Sequence, residues 1–203
     1  MENSFAPVAG SALMSSYDLQ EGVAALSRGA YFKEAPFDMM LSILSESAAR
    51  MSGVARVGIW ALIEEHRELR CLELYELSIG RHSKGCSIRA GQYPIFFRAM
   101  RAGSGIMADD AYTHPLTAEF AVDYLPRHGV TAMLGTPIHI RGELQGVLSL
   151  EQVGTHQSWS PAHALFAQAI ANLIALGLVE GEADEARRLA READLRLKAV
   201  LGI

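Results

Sequence analysis

TAMLGTPIHIRGELQGVLSLEQ, residues Thr131 to Gln152, consists of two apolar runs of strand length split at Arg141-Gly142-Glu143. In the first run Ala132, Leu134, Thr136, Ile138 and Ile140 alternate with Met133, Gly135, Pro137 and His139. Both sets carry apolar residues, so the run predicts a strand buried on both faces, within a sheet covered on each side. The short polar connection predicts an antiparallel hairpin with a loop of three residues or slightly more, in which Gly142 is free to take positive φ. No catalytic signature lies in this stretch.

Downstream, Ser160-Pro161 predicts the start of a long helix, with Ser as N-cap and Pro in the first turn. From there small or apolar residues recur in alternating steps of four and three: Leu165, Ala169, Asn172, Leu176, Val179, Ala183, Ala186, Ala190, Ala193, Leu197 and Val200. That is a heptad seam. Up to about Leu178 the helix is apolar on most sides; beyond it the pairs Asp184 and Arg188, Glu192 and Arg196, and Asp194 and Lys198 stand four residues apart. A lone helix with an alanine-rich seam buries little area, so a homodimer through Leu176, Val179, Ala183, Ala186, Ala190, Ala193, Leu197 and Val200 is expected. Gly177 and Gly181 each cost about 1 kcal/mol relative to Ala and mark the softest point of the helix.

Upstream, Arg56–Leu62 and Leu69–Leu77 read as strands joined by Glu64-Glu65-His66-Arg67, with Cys71, Glu73 and Tyr75 expected on one face. A long Gly-punctuated irregular segment carries Arg81, His82, Lys84 and Arg89, and a short helix over Pro94–Arg101 follows. Gly105–Ala108 reads as a short strand, and a helix holding Phe120, Tyr124 and Leu125 ends at Gly129. Nearer the start, helices are expected over Leu19–Arg28 and from Pro36, the second with the stripe Phe37, Met40, Leu41, Leu44, Ala48 and Met51 and a stop at Gly53. Residues 1–18 read as a flexible lead-in.

The 203 residues suffice for one good core with extensions. Half of them are hydrophobic, too many for a disordered chain, yet no uninterrupted apolar run reaches the roughly 18 residues of a membrane span. The N-terminus lacks a basic segment followed by an apolar one, which predicts a cytoplasmic location without a membrane partner. A net charge of −5 argues against a nucleic-acid partner.

The chemistry in the sequence is sparse. Of the two cysteines, Cys71 reads as core, whereas Cys86, beside Lys84, is a candidate for a lowered pKa. The histidines form no metal-ligand grouping, and His82 with Cys86 supplies only two ligands where structural zinc takes four. Asp109-Asp110 reads as a turn former rather than an acid–base pair. No nucleophile–base pattern and no phosphate-binding loop is present. Neither an enzyme nor a metal site is expected, and no cofactor is named.

The order of elements, together with YPIFFRAM, DDAYTHPLTAEFAVDYL, GVTAMLGTPIHIRGELQGVLSLEQVG and WSPAHALFAQAIANLIALGL, resembles the GAF domains of bacterial multidomain sensor proteins over roughly residues 20–180. The resemblance implies an α+β fold: an antiparallel sheet of about six strands, terminal helices on one face, and loops and short helices over a ligand pocket on the other. It divides the chain into a sensory domain over 19–179 and an amphipathic signalling helix over 180–203. That helix would lead to a downstream PAS, histidine-kinase or diguanylate-cyclase domain. Where relatives often carry Cys and His, this chain has Ser149 and Gln152, and the signature of cyclic-nucleotide-binding members is absent.

The same resemblance implies a small-molecule-binding regulatory module without catalysis, its ligand unidentified. Trp60, Cys71, Tyr75, Phe97, Asp109, Phe120, Tyr124, Met133 and Ser149 are the candidate ligand contacts, apolar walls with a few polar anchors. The alternatives are a GAF-fold thiol-dependent methionine sulfoxide reductase and a ligand-free dimerisation module.

Overall fold

The computed structural model describes residues 16–29 and 35–201. The expected lead-in falls almost wholly outside these residues, as do the side chains of Leu197 and Val200 at the end of the seam. In chain order the elements are α1 (Ser16–Ser27), α2 (Phe37–Ser52), β1 (Arg56–Ile63), β2 (Glu68–Glu76), β3 (Arg81–Ser83), β4 (Ser87–Arg89) and α3 (Pro94–Arg101). After these come β5 (Ile106–Ala108), a 3-10 turn (Ala118–Val122), α4 (Tyr124–His128), β6 (Val130–Ile140), β7 (Glu143–Val153) and α5 (Pro161–Leu201).

The strands form one antiparallel sheet in the order β3-β2-β1-β7-β6-β5, with β4 also paired to β2. The segment expected to be irregular thus contains two short strands. At the centre lies the hairpin β6–β7, whose loop is tighter than expected. Ile140 pairs with Glu143, leaving Arg141 and Gly142 alone in the turn with φ of 53° and 84°. Positive φ at both positions matches the twist of the flanking strands, which is why two residues suffice. The β1–β2 hairpin is unusual in placing three consecutive non-glycine residues, Glu64, Glu65 and His66, at positive φ. Arg101 secures that loop by donating to the His66 carbonyl.

Apolar alternation sends side chains to both faces. On one face Leu41, Leu44 and Ala48 of α2 and Phe166, Ile170 and Ile174 of α5 pack on Val57, Ile59, Leu134, Leu148 and Leu150. Each of the larger of these side chains contributes about 1.5–3 kcal/mol of burial. On the other face Tyr93, Phe96, Phe97, Phe120 and Leu125 cover Trp60, Leu69, Met133 and Val147.

One register shift corrects the expected facing of β2. Ile59 pairs with Glu73 but Trp60 with Cys71, so Leu72 is an extra residue opposite the step between them. An inserted residue inverts the alternation beyond it. Cys71 therefore joins the core beneath α3 and the 3-10 turn, whereas Tyr75 lies in the core beneath α2 and α5.

Two interactions set the start of α5. Trp159 donates from its backbone N–H to Asp109 Oδ1 (2.8 Å) and from its indole to the Ala108 carbonyl (3.1 Å). His163 Nδ1 then accepts the Ser160 backbone N–H (3.1 Å) and lies 2.8 Å from the Ser160 hydroxyl. This is the side-chain-to-N-cap half of a capping box, with His in the place of Glu. By length and composition alone the stretch from Pro161 is long and apolar enough to cross a bilayer, but Phe166, Ala167, Ile170, Ala171, Leu173 and Ile174 are buried on the protein's own sheet.

Candidate functional site

The site lies on the sheet face opposite the long helices. Trp60 projects from β1, Leu69 from β2, Ile88 from β4, Met133 from β6, and Val147, Ser149 and Glu151 from β7; Phe96, Phe120 and Tyr124 close over them. Aromatic contacts hold the cover together. Tyr93 stacks on Phe120 with centroids 4.2 Å apart, and Phe96 and Tyr124 meet the same ring edge-on at 4.9 and 5.7 Å. Glu119 ties the 3-10 turn to the start of α3, accepting the backbone N–H groups of Ile95 (3.2 Å) and Phe96 (2.6 Å). A carboxylate at this end of a helix satisfies orphan donors and complements the helix dipole.

Beneath the rings runs a buried polar row. The Trp60 indole donates to Ser149 Oγ (3.1 Å), Ser149 Oγ donates to Glu151 Oε1 (3.1 Å), and the Tyr124 hydroxyl donates to the same oxygen (2.8 Å). Gly58, paired with Ser149, makes room for the indole: a Cβ there would lie 2.6 Å from Trp60 Nε1 and 2.7 Å from Ser149 Oγ. Arg56, opposite Glu151 in the β1–β7 register, places Nη1 3.0 Å from Glu151 Oε2. Arg56 and Glu151 are only 5% and 1% exposed. Their contact is an ion pair by distance but is not aligned as a hydrogen bond, so Arg56 Nε and Nη1 and Glu151 Oε2 keep unused bonding capacity inside the protein.

Burial and the neighbouring Glu151 push the Tyr124 phenol well above its ordinary pKa, so it stays a donor. Burial opposes the charge on Arg56, but Glu151 and the groups around it outweigh that effect and hold the guanidinium protonated. A carboxylate and a guanidinium with spare capacity, set against aromatic walls, suit a ligand with a planar apolar body and a polar head.

The cavity between these groups measures about 20 Å³, room for about one water. A far larger hollow of about 700 Å³ lies between α1 and α5, lined by Leu19, Val23, Leu165, Phe166 and Ala169 with Gln20 as its one polar residue. It lacks the convergent polar groups of a small-molecule site and has the character of a helix-docking surface.

Of the expected contacts, Trp60, Phe120, Tyr124, Met133 and Ser149 come together around the cavity. Tyr75 does not: it lies across the sheet, its hydroxyl accepting from Arg50 Nη2 (3.3 Å) and its ring 4.7 Å from that of His82, because of the extra residue at Leu72. Phe97 is buried in the same core as the cavity but faces Arg101, whose guanidinium carbon is 5.8 Å from the ring. Cys71 sits behind the wall beside Cys86, and Asp109 is taken up by Trp159. Arg56, Glu151, Phe96, Leu69, Ile88 and Val147 were not anticipated. The available signal was a charge on the inward face of an otherwise apolar strand, in RVGIW and LSLEQ. Among the described residues no group of three or more His, Cys, Asp or Glu is arranged to hold a metal ion.

The family profile for the GAF domain matches residues 36–178. None of the curated proteins compared matches the chain. Among solved structures, the chain is similar to the GAF domain of a phosphoenolpyruvate-protein phosphotransferase from Coxiella burnetii (16% identity, 85% of this chain and 99% of that one, TM-score 0.66). It is equally similar to the phycocyanobilin-bound GAF domain of a cyanobacterial phytochrome (16% identity, 84% and 97%, TM-score 0.67). The photosensory core module of the Stigmatella aurantiaca phytochrome matches at 15% identity and TM-score 0.63, over 87% of this chain and 39% of that one.

Proposed function

This chain belongs to the GAF domain family, and from that premise we propose that it is a sensory module, without catalysis of its own, that binds a small molecule on the face opposite α1, α2 and α5. The observation carrying the proposal is the buried polar row, with the unused capacity of Arg56 and Glu151, at the floor of an aromatic enclosure. Phe120 and Tyr124 fill the space where a ligand would sit, so the ligand enters by displacing the segment that carries them. That segment is linked through Glu119 to α3, while β5 and Asp109 hold the start of α5. To act as a signal, the ligand has to favour one placement of α5 over another, since equal affinity for both shifts nothing.

In this proposal α5 passes the bias to a second copy of the chain. Leu165, Leu176 and Val179 are 73%, 47% and 36% exposed along the seam, and Ala186, Ala190 and Ala193 continue it at the surface. Residues 19–179 form the sensory body. From residue 180 onward α5 is the signalling helix toward a PAS, histidine-kinase or diguanylate-cyclase domain of a cytoplasmic bacterial protein. Nucleic acid and membrane play no part. The bilin-bound neighbour supports small-molecule binding by a protein of this fold.

The small size of the cavity, about 20 Å³, favours a second reading, a ligand-free dimerisation module. Native mass spectrometry of the purified chain separates the two. A non-covalent added mass, lost on denaturation, is the outcome for the sensor; bare polypeptide is the outcome for the second reading.

A further inference from the structure

Beside the cavity wall, Gly85 and Cys86 stand together opposite Cys71. Cys71 N–H donates to the Cys86 carbonyl (2.8 Å), Gly85 N–H donates to the Cys71 carbonyl (2.9 Å), and Gly85 has a φ of 93°. This is the bulge in which a left-handed glycine precedes the residue that faces the partner strand. Residues facing each other across antiparallel strands lie about 4.5–5.5 Å apart at Cα, and the backbone bond from Cys71 to Cys86 keeps these two as such neighbours, within reach of the roughly 4.4–6.8 Å that a disulfide spans. Cys71 is buried and Cys86 exposed, and each thiol feels the other electrostatically.

We propose that Cys71 and Cys86 are a peroxide-sensitive dithiol, with Cys86 as the attacking thiolate and Cys71 as the resolving thiol. Interaction with the Cys71 thiol lowers the Cys86 pKa to about 7, with the Arg56 charge assisting, and the same interaction together with burial raises that of Cys71. The asymmetry gives the exposed sulfur the nucleophile's role. Cys86 S⁻ attacks one oxygen of hydrogen peroxide; the O–O bond breaks, the departing hydroxide takes a proton and leaves as water, and Cys86 becomes a sulfenic acid. Cys71 then gives up its proton and attacks the Cys86 sulfur, the S–O bond breaks, and hydroxide leaves with that proton as a second water. Two thiols and one hydrogen peroxide thus become one disulfide and two waters. Leu69 and Ile88 pair two residues further along the same segments and line the cavity, so the bond would pin the wall of the ligand site. The dithiol works whether or not that site takes a ligand.

The test is to reduce the full chain, add hydrogen peroxide, and measure intact mass, thiol count and oligomeric state. Expected are a monomer mass two hydrogens lighter, no free thiol, and one linked peptide pair containing Cys71 and Cys86. In Cys71→Ser, a dimedone-trappable sulfenic acid on Cys86 is expected. Alkylation of wild-type Cys86 with iodoacetamide should show a pH midpoint near about 7. Two thiols surviving the treatment, a disulfide only between chains, or an alkylation midpoint at the ordinary value of about 8.5 would overturn the proposal.

Discussion

Replacing Glu151 with Leu should be among the most damaging single changes available on the sheet. The carboxylate is almost wholly buried, its Oε2 lies 3.0 Å from Arg56 Nη1, and its Oε1 accepts from both Tyr124 and Ser149. Removing it strands the Arg56 guanidinium, whose other carboxylate, Glu76, is 3.9 Å away. Breaking one side of a buried pair costs about 3–5 kcal/mol, and each buried hydroxyl left without an acceptor adds up to about 1–3. These terms share partners and do not simply sum. A loss of about 4 kcal/mol or more is expected, set against the roughly 5–15 kcal/mol total stability of a domain. The double variant Arg56→Met, Glu151→Leu removes both charges and should recover at least about 2 kcal/mol of that loss, the remainder being the Tyr124 and Ser149 hydroxyls still without their acceptor. Urea unfolding of wild type, both single variants and the double variant, with slopes checked for constancy, measures this cycle. A cost below about 1 kcal/mol for Glu151→Leu, the range of a surface pair, would refute the claim that the polar row is desolvated.

Three further outcomes rest on the same geometry. Gly58→Ala should cost about 2–4 kcal/mol, because its Cβ displaces the Trp60 indole and breaks the bond to Ser149; an unchanged urea midpoint would show that the indole has room to move. Arg141→Asn should stabilise by about 0.5–1 kcal/mol, since Arg141 holds a φ of 53° that Asn tolerates better, and a lower thermal midpoint would argue against the two-residue turn. His163 is buried, and burial lowers its folded pKa below the ordinary value, so the unfolded chain takes up its proton first. Its contribution is therefore complete above about pH 6.5 and is lost as pH falls from there through the lower folded value. Urea midpoints should drop between pH 7.5 and 5.5, and His163→Gln should reduce that dependence, leaving the part carried by His128, whose pKa burial also lowers.

The sheet was legible because both hairpin strands carry apolar residues in each alternate set, which only a two-sided core explains. Pro94 and Gly129 bounded their helices for local reasons, a fixed φ at a helix start and a left-handed residue at a helix end. The facing of Tyr75 was not legible, since the extra residue at Leu72 appears only once the partner register is known. The turn at Arg141-Gly142 was missed for a related reason. A left-handed arginine has no composition signal, and the twist of the two strands imposes it. Trp60, Phe120, Tyr124, Met133 and Ser149 were reachable from residue type, whereas Arg56 and Glu151 required reading a charge in a buried strand as an intended pair. Asp109 shows the converse. A carboxylate at a strand end reads as a ligand anchor, yet the chain returns fifty residues later to place Trp159 against it.

The central claim, that α5 carries the signal as one of a pair, is tested most directly by the solution mass of the full chain from light scattering, alongside the variant Val179→Glu, Ala186→Glu. Both positions are accessible on the seam, so the changes leave the core untouched. Twice the chain mass is expected for the wild type and a single chain mass for the variant, each with unchanged circular dichroism. A monomeric wild type, or a dimer that survives both glutamates, would contradict it.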